Sequence, residues 1–292
     1  MVRVGTAGWS YPDWEGIVYP KGVASRREAL TVLAGLFDTL EINVTFYRPP
    51  SAKMSESWVQ RVESRSGFRF TAKLWQGFTH RREQGHAMEE KVFKEGVAPL
   101  VEAGRLGALL LQFPHSFRNS TQNRDYLEGL LDRFADYPLV VEVRHVSWLQ
   151  DELLALLEKH QVGFCNVDQP AVGAAAPPTS LVTGRVGYVR WHGRNARNWF
   201  DKEAGRDARY DYLYSHEEIR EWVERIRLMQ GRTKDIFIIA NNHYRGQAVA
   251  NALELMHELT GQPADVPEDL LRACPRLSSI ASKTGRPGML PL

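Results

Sequence analysis

Tyr188-Val189-Arg190-Trp191-His192-Gly193-Arg194-Asn195 begins as a strand and ends as a loop. Alternation along a strand puts Tyr188, Arg190 and His192 on one face and Val189 and Trp191 on the other. An arginine and a histidine seldom share a buried face unless they are paired or used. Working outward, the same pattern recurs, with one apolar face and a second face that turns polar toward the C-terminal end. It is found at residues 39–46, 68–74, 107–113, 139–144 and 162–168. Residues 2–6 and 235–240 complete a set of eight predicted strands. Helical spacing fills most of the gaps, at 26–37, 54–62, 92–103, 124–134, 151–160 and 245–259. Ser215, with Glu218 three residues on, predicts a capped helix running to about Met229. Residues 169–185 hold three prolines and an alanine run, so no helix is expected there.

Connections this long do not make hairpins, so the strands are expected to be parallel. The chain has 292 residues and no linker-like shift in composition. One α/β domain over residues 1–292 fits, a (β/α)8 TIM-like barrel with an irregular sixth β/α connection and a mostly irregular tail over 263–292. A doubly wound open sheet is the alternative. It would bury both strand faces and ask for continuous apolar runs, which the alternation opposes.

The totals exclude little else. Net charge is +2 at pH 7, and Cys165 and Cys274 are the only cysteines, so no disulfide framework is implied. The first residues lack the apolar core of a signal peptide, and no apolar run has the length of a membrane span. A reduced cytoplasmic protein that does not engage a membrane is the expectation.

In such barrels the chemistry sits at the C-terminal ends of the strands. Taking each strand's polar side as inward gives Glu41, Asn43, Lys73, Gln112, Glu142, Arg144, Asn166, Asp168, Arg190 and His192, with Asn241 or His243 from the last strand. Three carboxylates then face three cations, and buried charges persist only when paired. Glu41 is expected to pair with Lys73, and Asp168 with Arg190. A lumen network that only holds the barrel closed would look the same. The cations also oppose a metal cage, and no sequence-local ligand motif or cofactor fingerprint is present, so no metal and no cofactor is assigned. Cys165 is expected to point toward the helices as an inert packing residue.

The loops after the strands carry His80, Arg81, Arg82, Arg194, Arg197, Arg206 and Arg209, partly offset by Glu83, Asp201, Glu203 and Asp207. Together they favour an anionic ligand, since guanidinium matches phosphate and carboxylate oxygens. Trp9, Trp14, Tyr47, Trp75, Trp199 and Tyr210 share that rim and are candidates to stack on bases or sugars.

The motifs Gly5-Thr6-Ala7-Gly8-Trp9-Ser10-Tyr11, Leu40-Glu41-Ile42-Asn43-Val44-Thr45-Phe46-Tyr47, Leu111-Gln112-Phe113-Pro114, Val141-Glu142-Val143-Arg144-His145, the stretch from Tyr188 to Arg194, and Asn241-Asn242 resemble the YecE-like family, domain of unknown function 72. The resemblance runs through nearly the whole chain in order. It implies a TIM-like barrel and brings no reaction. Barrels of endonuclease IV-like phosphoesterases, which use a histidine-rich metal cluster, match this chain only loosely.

Three functions are therefore expected to compete. In the first, an anionic small molecule or nucleic acid is bound or hydrolysed, with Arg190, Arg194 and Lys73 on phosphate, Glu142 or Asp168 as base and His192 as acid or base. In the second, two of Glu41, Glu142 and Asp168 flank a sugar in a glycosidase-like hydrolase. The third is a barrel that binds a ligand or partner without catalysis.

Overall fold

Eight parallel strands close on themselves in sequence order. They are β1 (Val2–Ala7), β2 (Thr39–Ile42), β3 (Arg69–Lys73), β4 (Leu106–Gln112), β5 (Leu139–Glu142), β6 (Gly163–Asp168), β7 (Val186–Trp191) and β8 (Asp235–Ala240). β1 pairs with both β2 and β8, which closes the barrel. This computed structural model describes residues 1–20, 26–82, 87–199, 201 and 207–282. The expectations placed on Glu83, Glu203 and Arg206 lie outside the described residues.

Helices α1 (Arg26–Leu36), α2 (Val44–Tyr47), α3 (Ala52–Arg61), α4 (Ala87–Glu102), α5 (Thr121–Arg133), α6 (Asp151–Lys159) and α7 (His216–Met229) return the chain between strands, and α8 (Gln247–Thr260) and α9 (Glu268–Ala273) follow β8. The capping box of α7 forms as expected: Ser215 Oγ accepts from Glu218 N, and Glu218 Oε2 accepts from Ser215 N at 2.8 Å. Outward side chains such as Leu40, Ile42, Leu111, Val141 and Trp191 join the helices in the larger apolar core. A smaller core fills the lumen with Ala108, Leu110, Val140, Tyr188, Phe237 and Ile239. At Gly5 a side chain would come within 1.8 Å of the Thr39 carbonyl oxygen, so only glycine lets β1 and β2 approach.

The sixth connection has no helix, as its prolines predicted. Asn166 holds it instead. Its amide donates to Leu181 O at 2.9 Å and accepts from Leu181 N and Thr179 Oγ1 at 2.7 and 2.6 Å. Leu181 and Val182 then pack on the outer core in the place of a helix.

β6 overturns one expectation of facing. Asn166 and Asp168 point outward, and Cys165 and Val167 point into the lumen. The pairing with β7 sets this: Cys165 and Val167 lie beside Tyr188 and Arg190, whose side chains face inward. The polar face of β6 serves the outside of the barrel, binding the helix-less connection through Asn166 and a network around α7 through Asp168. Among the described residues, no helix is long and apolar enough to cross a membrane.

Candidate functional site

The strand ends bring Glu41 of β2, Lys73 of β3, Gln112 of β4, Glu142 of β5, and Arg190 and His192 of β7 and its exit into one cluster. Arg144, just beyond β5, joins it. Arg190 is the centre, almost fully buried. One arm donates to Glu41 Oε1 at 2.7 Å and the other to Glu142 Oε2 at 2.6 Å. Arg144 Nε donates to the remaining Glu142 oxygen at 2.8 Å. Tyr188 OH, one layer below, donates to Glu41 Oε2 at 3.0 Å.

These contacts correct the expected partners. Glu41 pairs with Arg190 rather than Lys73, and Asp168 does not reach Arg190. Asp168 accepts from Arg194 Nη2 at 2.8 Å and from Trp222 Nε1 at 2.5 Å, outside the lumen. Arg194 also donates to Glu218 Oε1 at 2.9 Å, so it anchors β7 to α7 and is not a rim cation. The physical reason is the facing of β6, which removes one carboxylate from the lumen. Three cations, Lys73, Arg144 and Arg190, then face two carboxylates, Glu41 and Glu142.

Protonation follows from that imbalance. Burial raises the Glu142 carboxyl, but Arg190, Arg144 and His192 outweigh it and hold it well below the usual carboxylate range. His192 is fully buried; loss of solvent, then Arg144, brings it down to about 3, so its ring is neutral. Its Nδ1 lies 3.0 Å from the Asn241 amide nitrogen, and its Nε2 lies 3.2 Å from Arg144 Nη2 and 3.3 Å from Glu142 Oε1. Lys73 has no carboxylate within 4.0 Å among the described residues; its Nζ donates to Gln112 Oε1 at 2.6 Å and lies 4.1 Å from the centre of the Phe46 ring. Burial and then Arg190 lower its pKa to about 7, against a smaller opposing pull from Glu41.

Above the cluster opens a cavity of about 550 Å3. Lys73, Gln112, Arg144, Arg190 and Asn241 form its floor. The wall comes from the β1 exit, with Gly8, Trp9, Ser10 and Tyr11, and from residues 43–61, with Asn43, Tyr47, Arg48, Trp58 and Arg61. Gly8 turns at φ +80°, a conformation that suits glycine, and this carries Trp9 and Tyr11 over the opening. Trp9 packs edge-on against Trp58 at 6.1 Å, and Tyr11 stacks on His243 at 4.4 Å, so the wall is braced from both sides. Tyr210 and His243 close the far side.

The structure therefore brings together Asn43, Lys73, Gln112, Arg144, Arg190, Asn241 and Trp9 around the cavity, with Glu41, Glu142 and His192 sealed beneath them. Asn166, Asp168 and Arg194 are elsewhere. Trp199 is buried; its ring centre lies 6.2 Å from that of His192 and 6.0 Å from Arg144 Cζ, so it covers the network instead of waiting for a base. Trp75 sits behind Tyr47, to whose carbonyl its Nε1 donates at 3.3 Å, and it does not line the cavity. Arg81 and Arg82 line a separate shallow cleft with Tyr126.

Sequence reasoning missed Arg48, Arg61, Tyr11 and Trp58. Residues 43–46 read as the end of β2, whereas β2 stops at Ile42 and Val44–Tyr47 makes one helical turn. Thr45 Oγ1 fixes that turn by donating to Lys73 O at 2.7 Å, and the turn swings Tyr47 and Arg48 to the rim. The Pro49-Pro50 pair was the only signal of a break. Among the described residues, no group of three or more His, Cys, Asp or Glu side chains is placed to hold a metal ion.

A closed parallel (β/α)8 barrel with a cationic, aromatic cavity at its strand ends is the class that this geometry defines. The chain belongs to the family described as "Protein of unknown function DUF72", which matches residues 3–276. The UPF0759 protein YunF of Bacillus subtilis (strain 168) is 28% identical over 273 residues, covering 89% of this chain and 95% of that protein. A DUF72 family protein from Thermotoga maritima MSB8 superposes with a TM-score of 0.79 at 37% identity, over 89% of this chain and 99% of its own. A second, from Enterococcus faecalis V583, gives 0.78 at 27% identity over 89% and 95%. The fold and family expected from the sequence are thus established.

Proposed function

We propose that this barrel binds a small phosphate-bearing ligand of mononucleotide size in the strand-end cavity. One observation carries the reading: five basic side chains line the cavity, Arg48, Arg61, Lys73, Arg144 and Arg190, and no aspartate or glutamate lines it among the described residues. Guanidinium groups match phosphate oxygens in two-point hydrogen bonds, and a low-dielectric wall strengthens them. Trp9, Tyr47 and Tyr210 offer ring faces for a base or sugar in the same space. The cavity suits one small ligand better than a strand of nucleic acid.

Binding is favoured over hydrolysis. Glu142 is neutralised by two arginines, His192 is neutral and sealed, and Asp168 is outside the lumen, so none of the three expected catalytic groups faces the cavity. The paired-carboxylate reading lacks an acid for the same reason: Arg190 holds both Glu41 and Glu142, and a glycosidase needs one carboxyl protonated.

The test is calorimetry with adenosine 5′-monophosphate and adenosine over a salt series. The phosphorylated ligand is expected to bind, and adenosine to bind far more weakly. Affinity should fall with salt, because the Arg48 end is screened. Arg48→Ala should weaken binding about tenfold, the equivalent of one charge-assisted hydrogen bond. Equal binding of adenosine and its phosphate, or affinity indifferent to salt, would refute the reading.

A further inference from the structure

We propose that Lys73 is a nucleophilic amine, and that the ligand of this cavity includes phosphate-bearing aldehydes or ketones that Lys73 captures as an imine. The proposal rests on the anion-binding reading of the same cavity and goes beyond it by assigning a covalent step.

The geometry is that of an imine-forming lysine. Lys73 ends β3, where barrel chemistry is placed, and its Nζ reaches the cavity floor. Among the described residues no carboxylate sits within salt-bridge distance to keep it an ammonium, while Arg190 and Arg144 share its floor. Gln112 Oε1 accepts one of its hydrogens at 2.6 Å and so fixes the nitrogen. The Phe46 ring centre lies 4.1 Å from the nitrogen, and Lys73 lines the cavity. A desolvated lysine beside other cations is a recognised way to make an amine nucleophilic near neutral pH. Burial and Arg190 lower the Lys73 pKa to about 7, so the free amine is populated near neutral pH.

The step balances without a further reactant. The Nζ lone pair forms a bond to the carbonyl carbon, and the carbonyl π pair moves to oxygen. The proton that nitrogen sheds goes to that oxygen, giving a carbinolamine. The hydroxyl then leaves as water, taking the hydrogen that remains on the nitrogen, while the nitrogen lone pair forms the carbon–nitrogen double bond. Protonation of the imine restores a positive charge on the floor beside the bound phosphate, which stabilises the adduct.

The experiment is reductive trapping. The full chain is incubated with pyridoxal 5′-phosphate or with uncharged pyridoxal, reduced with cyanoborohydride, and mapped by peptide mass. The expected result is preferential modification of Lys73 by the phosphorylated aldehyde, with half-maximal rate near pH 7. Inorganic phosphate should suppress it, and Lys73→Met should abolish it while retaining the parent's circular dichroism spectrum. Ordinary solvated lysines should instead label faster up to about pH 10. Labelling of surface lysines alone, in protein that still binds adenosine 5′-monophosphate by calorimetry, overturns the nucleophile and leaves the anion site standing. Labelling of Lys73 by both aldehydes equally, unaffected by phosphate, overturns the phosphate-bearing substrate class together with the anion site.

Discussion

Replacing Arg190 with methionine removes the hub of the lumen and keeps most of its volume. Arg190 makes two ion pairs, at 2.6 and 2.7 Å, with carboxylates that are fully buried. The two are not stranded equally. Glu142 keeps Arg144 at 2.8 Å and His192 at 3.3 Å, whereas Glu41 keeps the Tyr188 hydroxyl at 3.0 Å. One orphaned buried carboxylate costs about 3–5 kcal/mol. Protonation caps that cost. At pH 7, neutralising a carboxyl with an ordinary pKa near 4.3 takes about 3.7 kcal/mol, at 1.36 kcal/mol per unit. The expected loss is therefore about 3–4 kcal/mol in urea denaturation at pH 7. Its pH dependence has a definite sign. A stranded carboxylate is a charge that the folded state disfavours, so the penalty is full at neutral pH and shrinks as pH falls toward 4 and the carboxyl takes up a proton. The double variant Arg190→Met with Glu41→Gln should regain at least half of the loss. If Arg190→Met unfolds within 1 kcal/mol of the parent at pH 7, or the double variant is no more stable than the single, the picture of a paired buried cluster fails.

Lys73→Met should leave the protein as stable or more stable at pH 7, because it removes a buried amine with no carboxylate partner. The parent's stability should rise between about pH 7 and 10 as the unfolded state alone keeps the Lys73 proton, and urea titrations of the variant should lose that rise. Asp168→Asn should cost about 2–4 kcal/mol through its bonds to Arg194 and Trp222 yet leave phosphate affinity unchanged within twofold by calorimetry. A large fall in affinity would return Asp168 to the site. Binding of adenosine 5′-monophosphate at pH 7.5 should take up protons, since an anion beside Lys73 raises its pKa. Calorimetry in buffers of differing ionisation enthalpy measures this, and buffer-independent heats would contradict it. Asn166→Ala should speed proteolytic cleavage within residues 169–185, and an unchanged rate would mean that other contacts hold that connection.

The barrel was legible because eight strand-like segments are joined by long connections, and because three prolines marked the one connection without a helix. Facing was legible where one side of a strand is plainly apolar, as in β2, β5 and β7. It failed at β6, where Cys165 and Val167 are small enough for the lumen and Asn166 and Asp168 have partners outside. A helix-less connection needs polar anchors on the outer face of the strand before it, and that requirement is a signal the sequence did contain. Its consequence is electrostatic: with Asp168 outside, the lumen carries an excess cation in place of a balanced set. Arg48 and Arg61 were illegible for another reason. Their approach to the cavity depends on the helical turn at Val44–Tyr47 and on where α3 lands against it, and neither appears in strand alternation. Trp199 and Trp75 were correctly placed near the strand ends, but packing with Arg144 and Tyr47 already occupies them.

The central claim is that the strand-end cavity is an anion site, and a crystal soaked in tungstate, a heavy analogue of phosphate, tests it most directly. Anomalous density should appear in the cavity, within hydrogen-bonding distance of Arg144 and Lys73, and should vanish when excess phosphate is added. Density confined to the cleft of Arg81 and Arg82, or to other surface arginines, with the cavity empty would contradict it.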